Sequence, residues 1–186
     1  AVGEVPELLW RQLRQTPGLI DRLSRQLLDQ FWPESMHNDI LQAVGLDAAP
    51  ETVTRRKRDP NFRQEVLRAY ERKCAVCGYD ARLGDTLFGL EAAHIKWHQY
   101  QGPDVVPNGL ALCSLHHKAF DLGAITLTQD HHILVSQDVV GHDTTEATII
   151  SFSHARMRGP QSAADRPAGR FVDWHHRNRF RWPERS

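Results

Sequence analysis

Two pairs of metal-binding residues constrain this chain more than any other feature of its sequence. Cys74 and Cys77 are separated by two residues and followed by a glycine, and Cys113 and His116 have the same separation. Cys113 lies 36 residues after Cys77, and three thiolates with one imidazole form a standard closed tetrahedral set for Zn²⁺. The spacing therefore predicts a zinc ion that joins two distant segments. Because such an ion has no open coordination position, we expect it to stabilise the fold rather than to catalyse a reaction.

Two alternatives to zinc follow from the same cysteines, namely a redox-active Cys-x-x-Cys pair and plain buried thiols. The chain has only three cysteines, so they cannot all pair with one another. No secretory signal is evident in the sequence, which disfavours structural disulfides. The redox alternative lacks the βαβ pattern in which such motifs usually occur. Zinc binding uses all three cysteines, and it is the interpretation that we favour.

The formal net charge of zero conceals an uneven distribution along the chain. Residues 1–51 carry a net charge of −4, residues 52–73 carry +5, residues 74–155 carry −6 and residues 156–186 carry +5. Basic segments can bind phosphates, and an acidic centre rich in histidine can bind cations. The alternative for each segment is a solvated charged surface.

The hydrophobic pattern predicts an α+β fold in two parts. Three short amphipathic helices are expected within residues 6–45, and residues 46–58 are expected to form a linker. Three helices of this size make a thin core, so we expect residues 1–50 to be the tail of, or the linker from, a module that lies upstream. Residues 51–186 would form the second domain. Its expected elements are helices from residue 59 and at 114–121 and 167–181, and strands at 87–95, 110–113, 124–128 and 133–136.

The composition excludes a membrane-spanning or a disordered chain. No apolar run approaches the roughly 20 residues that a membrane helix needs. Hydrophobic residues make up 40% of the chain and charged residues 25%, which is typical of globular proteins. We expect no membrane partner.

A second constellation overlaps the predicted zinc set. It consists of the run LEAAHI at residues 90–95 and the run PNGLALCSLHHK at residues 107–118. This order resembles the HNH endonuclease family, in which a His, an Asn and a final His lie on a strand, a loop and a helix. The corresponding residues here are His94, Asn108 and His117. The resemblance implies that residues 51–186 form an HNH nuclease domain, with a ββα-metal (HNH) nuclease core and a structural zinc knuckle, preceded by the small helical segment.

Longer runs carry a closer resemblance. The runs FWPESMHNDILQAVGLD, RDPNFRQEVLRAYERKCAVCGYD and FVDWHHR are similar to McrA-like, modification-dependent restriction endonucleases that bind phosphorothioated DNA. The resemblance implies a cytoplasmic bacterial enzyme that acts on modified double-stranded DNA, with a sulfur-binding recognition domain upstream. A homodimer is compatible with it. Two alternatives are a non-catalytic zinc-containing module that binds nucleic acid, and a non-specific or nicking HNH nuclease outside restriction.

The residue types suit the hydrolysis of a phosphodiester. A neutral imidazole can take a proton from water near pH 7, so His94 is the candidate general base. A divalent cation beside the scissile phosphate stabilises developing charge, and His117 is the candidate ligand of Mg²⁺ or Mn²⁺. Asn108 is expected to orient His94 or to lend its carbonyl to the ion. Each residue alone also has a structural alternative, such as a packed histidine or an Asn-Gly turn.

One position departs from the family pattern. Many members have a metal-binding Asp directly before the first His, and this chain has Ala93 there. Glu91 is a candidate substitute, because a regular strand directs it to the same side as Ala93. Asp121, one helical turn after His117, is another.

The remaining candidates are basic and aromatic residues. Trp97 and Tyr100 are expected to fill the loop before Asn108 rather than to stack on DNA. The pairs His131-His132 and His175-His176 are expected at the surface. The predicted DNA contacts are Arg55, Arg56, Lys57, Arg58, Arg63, Lys96 and Lys118.

Overall fold

The computed structural model describes residues 6–32, 34–46, 59 and 61–186. The chain divides into two compact units, Ala1–Val53 and Thr54–Ser186. The predicted DNA contacts Arg55, Arg56, Lys57 and Arg58 lie outside the described residues. No helix within the described ranges has the length and apolar character needed to cross a membrane.

The first unit contains the three helices expected from the sequence. They are α1 (Glu7–Gln15), α2 (Leu19–Phe31) and α3 (Glu34–Ala43), and each packs against the next one along the chain. The core between them is small, because many of their apolar side chains are exposed. The exposed side chains include Leu8, Trp10, Leu27 and Phe31.

The second unit combines short antiparallel strand pairs with helices, as the sequence predicted. Helix α4 and a small hairpin come first, and the two larger strand pairs follow, each with a helix against it. The bounds are α4 (Phe62–Ala69), β1 (Arg82–Leu83), β2 (Thr86–Leu87), β3 (Leu90–His94), β4 (Gly109–Cys113), α5 (Ser114–Asp121), β5 (Ile125–Leu127), β6 (Ile133–Val135), α6 (Asp143–Thr148) and α7 (Gly169–Asn178).

The pair β3–β4, followed directly by α5, forms the ββα unit. The two strands are antiparallel, and their register is unbroken from Leu90 opposite Cys113 to His94 opposite Gly109. Because side chains alternate in a regular strand, His94 lies on one face of the pair and Glu91 on the other. The expected single strand at 87–95 is in fact two, since Gly89, at a φ of +65°, separates β2 from β3.

Gly109 allows α4 to pack closely beside His94. A Cβ atom at Gly109 would lie 2.5 Å from Cγ2 of Val66 and 3.1 Å from the ring of Phe62. Both side chains belong to α4, and both are buried. Any larger residue at this position would push the helix away from the strand that carries His94.

A second strand pair, β5–β6, extends the core and receives α7. The ring of His175 on α7 stacks on Phe120 of α5, with centroids 3.8 Å apart. His175 is fully buried, so its expected place at the surface was wrong. The stack hides the imidazole, and its two nitrogens contact the Oγ1 atom of Thr126 and the carbonyl of Phe120.

Candidate metal centre and active site

The four predicted zinc ligands come together in one cluster. Their ligand atoms all lie within 4.8 Å of one another. Nδ1 of His116 is 3.1 Å from Sγ of Cys113 and 3.6 Å from Sγ of Cys74, and the Sγ atoms of Cys77 and Cys113 are 3.9 Å apart. Three thiols and one imidazole this close together fit a tetrahedral metal ion.

The local backbone conformation brings the four ligand side chains together. The amide of Gly78 donates to the carbonyl of Cys74, and the amide of Cys74 donates to the carbonyl of Tyr79. Gly78 has a φ of +78°, which closes this tight turn and is favourable only for glycine. Cys113 ends β4, and His116 lies in the first turn of α5. The cluster therefore ties the segment after α4 to the junction between β4 and α5.

The ring of His116 and the thiol of Cys74 are arranged in a way that suits a cation. Nε2 of His116 lies 2.8 Å from the carbonyl of Thr148, which fixes the ring and leaves Nδ1 towards the sulfur atoms. Hydrogen bonds from Cys113 and Cys77 lower the pKa of Cys74, which favours its thiolate. The thiolate is the form that binds metal ions.

His94 is held from two sides. Its Nε2 atom lies 2.8 Å from Oδ1 of Asp104, and its ring stacks on Phe62 with centroids 4.1 Å apart and planes 15° apart. The side chain of His94 is 10% exposed. Asp104 was not among the residues singled out by the sequence. The signal that could have drawn attention to it is an acidic residue in the short segment between His94 and Asn108.

Asn108 braces the loop between β3 and β4. Its Oδ1 atom accepts a hydrogen bond from the amide of Lys96, and its Nδ2 atom donates to the carbonyls of Lys96 and Pro103. The residue is fully buried, and its own carbonyl accepts from the amide of Ile95. These bonds use both ends of the carboxamide within the loop. The geometry favours the orienting role over direct contact with an ion.

His117 lies between two carboxylates. Its Nδ1 atom is 2.6 Å from Oε2 of Glu91, and its Nε2 atom is 3.4 Å from Oδ2 of Asp121. The second oxygen of Glu91 accepts a hydrogen bond from the hydroxyl of Ser114 at 2.8 Å. Glu91 and Asp121, the two candidate substitutes for the family's Asp, thus both contact the imidazole of His117.

The protonation states of Glu91, His117 and Asp121 depend on one another. The hydrogen bond with His117 lowers the pKa of Glu91 to about 2, so Glu91 is ionised near neutral pH. Burial opposes protonation of His117, but the hydrogen bond with Glu91 and the charge of Asp121 outweigh it and raise the pKa of His117. Two carboxylates and one imidazole are donors that suit a divalent cation such as Mn²⁺ or Mg²⁺.

Three of the predicted DNA contacts, Arg63, Lys96 and Lys118, lie within the described part of the chain. Arg63 is exposed on α4 and donates to the carbonyl of Leu90, while Lys96 and Lys118 are half-buried. Lys96 follows β3, and Lys118 follows His117 on α5.

Aromatic side chains pack around the loop between β3 and β4. Trp174 and Arg179, which the sequence did not single out, contact two of them. Trp97 is 3% exposed, whereas Tyr100 is 40% exposed and contacts Trp174 of α7. The guanidinium of Arg179 lies 3.7 Å from the centroid of Trp97. The segment after α7 therefore supports the loop that follows His94.

The segment that carries these residues is similar to a known protein family. Residues 74–128 match the model of a family described as HNH endonuclease. This segment is an HNH endonuclease domain. The match spans the cysteine cluster, His94, Asn108 and His117, and it confirms the predicted α+β fold with an HNH domain.

A solved structure described as a modification dependent TagI restriction endonuclease is also similar to the chain. The two share 20% sequence identity with a TM-score of 0.48. The match covers 74% of this chain and 42% of that protein, so the chain spans less than half of its length. No curated protein sequence matches the chain.

Proposed function

We propose that this chain is a metal-dependent DNA endonuclease and the nuclease part of a modification-dependent restriction enzyme. The observation that carries the proposal is the arrangement on one ββα unit. His94 lies on β3 in contact with a carboxylate, and His117 lies on α5 between two further carboxylates. The first group suits proton abstraction, and the second suits a cation.

His94 is the proposed general base. Asp104 is a carboxylate that accepts a hydrogen bond from Nε2–H of His94, so the basic nitrogen of the ring is Nδ1. Nδ1 takes the proton of the attacking water. Asn108 keeps the loop in place and so fixes the distance between Asp104 and His94.

His117 and Glu91 are the proposed ligands of Mg²⁺ or Mn²⁺, with Asp121 in contact with the far nitrogen of the imidazole. Glu91 lies two positions before Ala93 on the same face of β3. Its carboxylate, 2.6 Å from Nδ1 of His117, would take the role of the aspartate that the family pattern has at position 93. When bound, the ion supplies positive charge at the scissile phosphate and at the leaving oxygen. The cluster of Cys74, Cys77, Cys113 and His116 would hold Zn²⁺ and keep α5 at the end of β4.

The proposed substrate is double-stranded DNA with a phosphorothioate modification. This part of the proposal is supported by the family resemblance of the sequence and by the basic residues beside the HNH domain. Lys96 follows the strand that carries His94, Lys118 follows His117 on α5, and Arg63 and the basic run at 55–58 lie on or before α4. A homodimer and a cytoplasmic location remain predictions from the same resemblance.

The test is a plasmid cleavage assay with modified and unmodified DNA, in the presence of Mg²⁺ or Mn²⁺. His94→Ala should lower the rate by about 10²–10⁴-fold, the usual contribution of a general base. His142→Ala, at an exposed position outside the HNH domain, is the matched control and should cleave at the parental rate. DNA binding without cleavage by the parental chain under all conditions would instead indicate a non-catalytic module. Equal cleavage of both DNAs would indicate a nuclease outside restriction.

A further inference from the structure

The two carboxylate oxygens of Asp104 contact different parts of the chain. Oδ1 lies 2.8 Å from Nε2 of His94. Oδ2 accepts a hydrogen bond of 2.8 Å from the backbone amide of Asp59, and it lies 3.8 Å from Nε2 of His98. The side chain of Asp104 is 14% exposed. Asp104 therefore joins the histidine on β3 to the segment that precedes α4.

One face of the same imidazole is fixed by α4. Phe62 stacks on the ring of His94 nearly in parallel, and Phe62 comes three residues after Asp59 in the sequence. Rotation of the imidazole would break the stack and the hydrogen bond with Asp104 together. One short segment of the chain thus holds both the ring and the carboxylate that contacts it.

Asp104 is ionised in this environment. Burial raises the pKa of Asp104, but the hydrogen bonds from the Asp59 amide and from His94 outweigh burial and lower it. An ionised carboxylate can only accept hydrogen bonds, so the proton of the neutral imidazole lies on Nε2. The lone pair then lies on Nδ1, which is the form that a base needs.

We propose that Asp104 is the positioning residue of His94 and that it stabilises the imidazolium formed during hydrolysis. This inference rests on the proposed function, in which His94 is the base. As the water oxygen bonds to phosphorus, its proton moves to Nδ1 of His94. The bond from phosphorus to the leaving oxygen breaks, and that oxygen takes a proton from solvent. Asp104 keeps its negative charge throughout and receives no proton.

The groups that face Asp104 and His94 affect how the pH profile of cleavage is interpreted. His98 lies 3.8 Å from Asp104, and its ring centroid is 5.9 Å from that of His94. The residue of α4 that contacts His94 is Phe62, which is uncharged. The residue of β4 that lies opposite His94 is Gly109, which has no side chain to titrate. Asp59 presents its backbone amide to Asp104. A variant of His98 is therefore needed beside the variant of Asp104.

The test compares Asp104→Asn with the parental chain across pH. Removal of the carboxylate should lower the cleavage rate at neutral pH by about 10- to 1,000-fold. Because the negative charge favours the imidazolium, its loss lowers the pKa of His94. The acid limb of the rate–pH profile should then move to lower pH by about one unit. A purely structural role would lower the rate equally at every pH and leave the acid limb in place.

The control for this variant is Asp130→Asn, which lies in an exposed turn. His98→Gln should leave the Asp104 effect intact.

A second readout does not depend on cleavage. Nitrogen-15 NMR of histidine-labelled parental protein should find the neutral His94 protonated on Nε2, with a hydrogen-bonded signal that Asp104→Asn removes. A neutral His94 that carries its proton on Nδ1 overturns the proposal, and it does so even if Asp104→Asn fails to fold. Parental cleavage and an unchanged pH profile in folded Asp104→Asn also overturn it. In that case loss of activity in His94→Ala would still support the proposed function, whereas full activity in both variants would refute His94 as the base.

Discussion

Nδ1 of His117 on α5 lies 2.6 Å from Oε2 of Glu91 on β3, so the helix and the strand meet through a charged hydrogen bond. Asp121 lies on the other side of the ring, 3.4 Å from Nε2. Despite burial, the hydrogen bond with Glu91 and the charge of Asp121 raise the pKa of His117, which favours the protonated imidazole between the two carboxylates. A divalent cation competes with that proton for the ring, so its affinity should fall as the pH falls.

We predict that Glu91→Gln and His117→Ala raise the metal concentration required for half-maximal cleavage. Loss of a ligand or of its partner should raise the requirement by about 10–100-fold. The measurement is the cleavage rate against Mg²⁺ or Mn²⁺ concentration, with Glu146→Gln on α6 as the exposed control. An unchanged metal requirement in both variants would exclude Glu91 and His117 from the ion site.

Cys77→Ser should abolish tight zinc binding and unfold the HNH domain. Zinc binding by such sets contributes roughly 10–16 kcal/mol in peptides, comparable to the ~5–15 kcal/mol that stabilises a whole domain. The measurements are metal content by emission spectrometry and the cooperativity of thermal melting. Asp80→Ser, at an exposed position shortly after the knuckle, should keep both properties. Purified parental protein without stoichiometric metal would contradict the prediction.

Asn108→Ala should destabilise the second unit and slow cleavage. The change leaves the amide of Lys96 and the carbonyls of Lys96 and Pro103 without their side-chain partner. An unsatisfied buried group costs about 1–3 kcal/mol, so urea denaturation should show at least that loss. The metal requirement should stay the same, because the carboxamide faces the loop. Asn178→Ala, exposed at the end of α7, serves as the control. A shift in metal requirement without loss of stability would instead favour a role as ligand.

Acid should destabilise the second unit through His175. Burial lowers the pKa of His175 to about 3, whereas an unfolded histidine has a pKa of about 6.5. The unfolded chain therefore binds one more proton between these pH values, and the unfolding free energy should decrease as pH falls from about 6.5 towards 3. The slope from this residue is at most about 1.4 kcal/mol per pH unit. In His175→Gln the decrease should be shallower, whereas His142→Gln should retain the parental slope. Equal slopes in all three proteins would contradict the prediction.

Replacement of Arg55, Arg56 and Arg58 by Ala should weaken the salt dependence of DNA binding. Each phosphate contact contributes about 0.9 to the slope of log K against log salt on duplex DNA. Binding isotherms at several salt concentrations measure the slope, and the same number of arginines replaced in α1 and α2 gives the control. An unchanged slope would mean that the run is a charged linker only.

The sequence was most informative where spacing alone brings residues together. The spacing of the two Cys/His pairs predicted the metal cluster. The order of His94, Asn108 and His117 resembles the HNH family, and that resemblance implied the ββα unit. The bounds of α5 followed from the hydrophobic pattern. Ala93 drew attention to Glu91, and a regular strand was sufficient to direct Glu91 to the helix.

The features that the sequence did not predict depend on contacts between distant segments. Asp104 gains its partners from Asp59 and His94, which belong to two different elements, and no local pattern marks such a contact. His175 lies in a polar run that resembles a surface, and it is buried because Phe120, on another helix, offers a face for stacking. Periodicity describes one element at a time, so it does not identify such pairs.

His116 and His117 are consecutive on α5, and successive residues of an α-helix point about 100° apart. One imidazole therefore faces the cysteine cluster while its neighbour faces Glu91. If both proposed ions bind, loss of the ion in the cysteine cluster would move His117 on α5 away from Glu91 on β3. Inhibition by EDTA would then reflect damage at both proposed centres. Assays of metal requirement on this chain should therefore keep zinc saturated and vary only the second ion, so that a lost rate is assigned to the correct one.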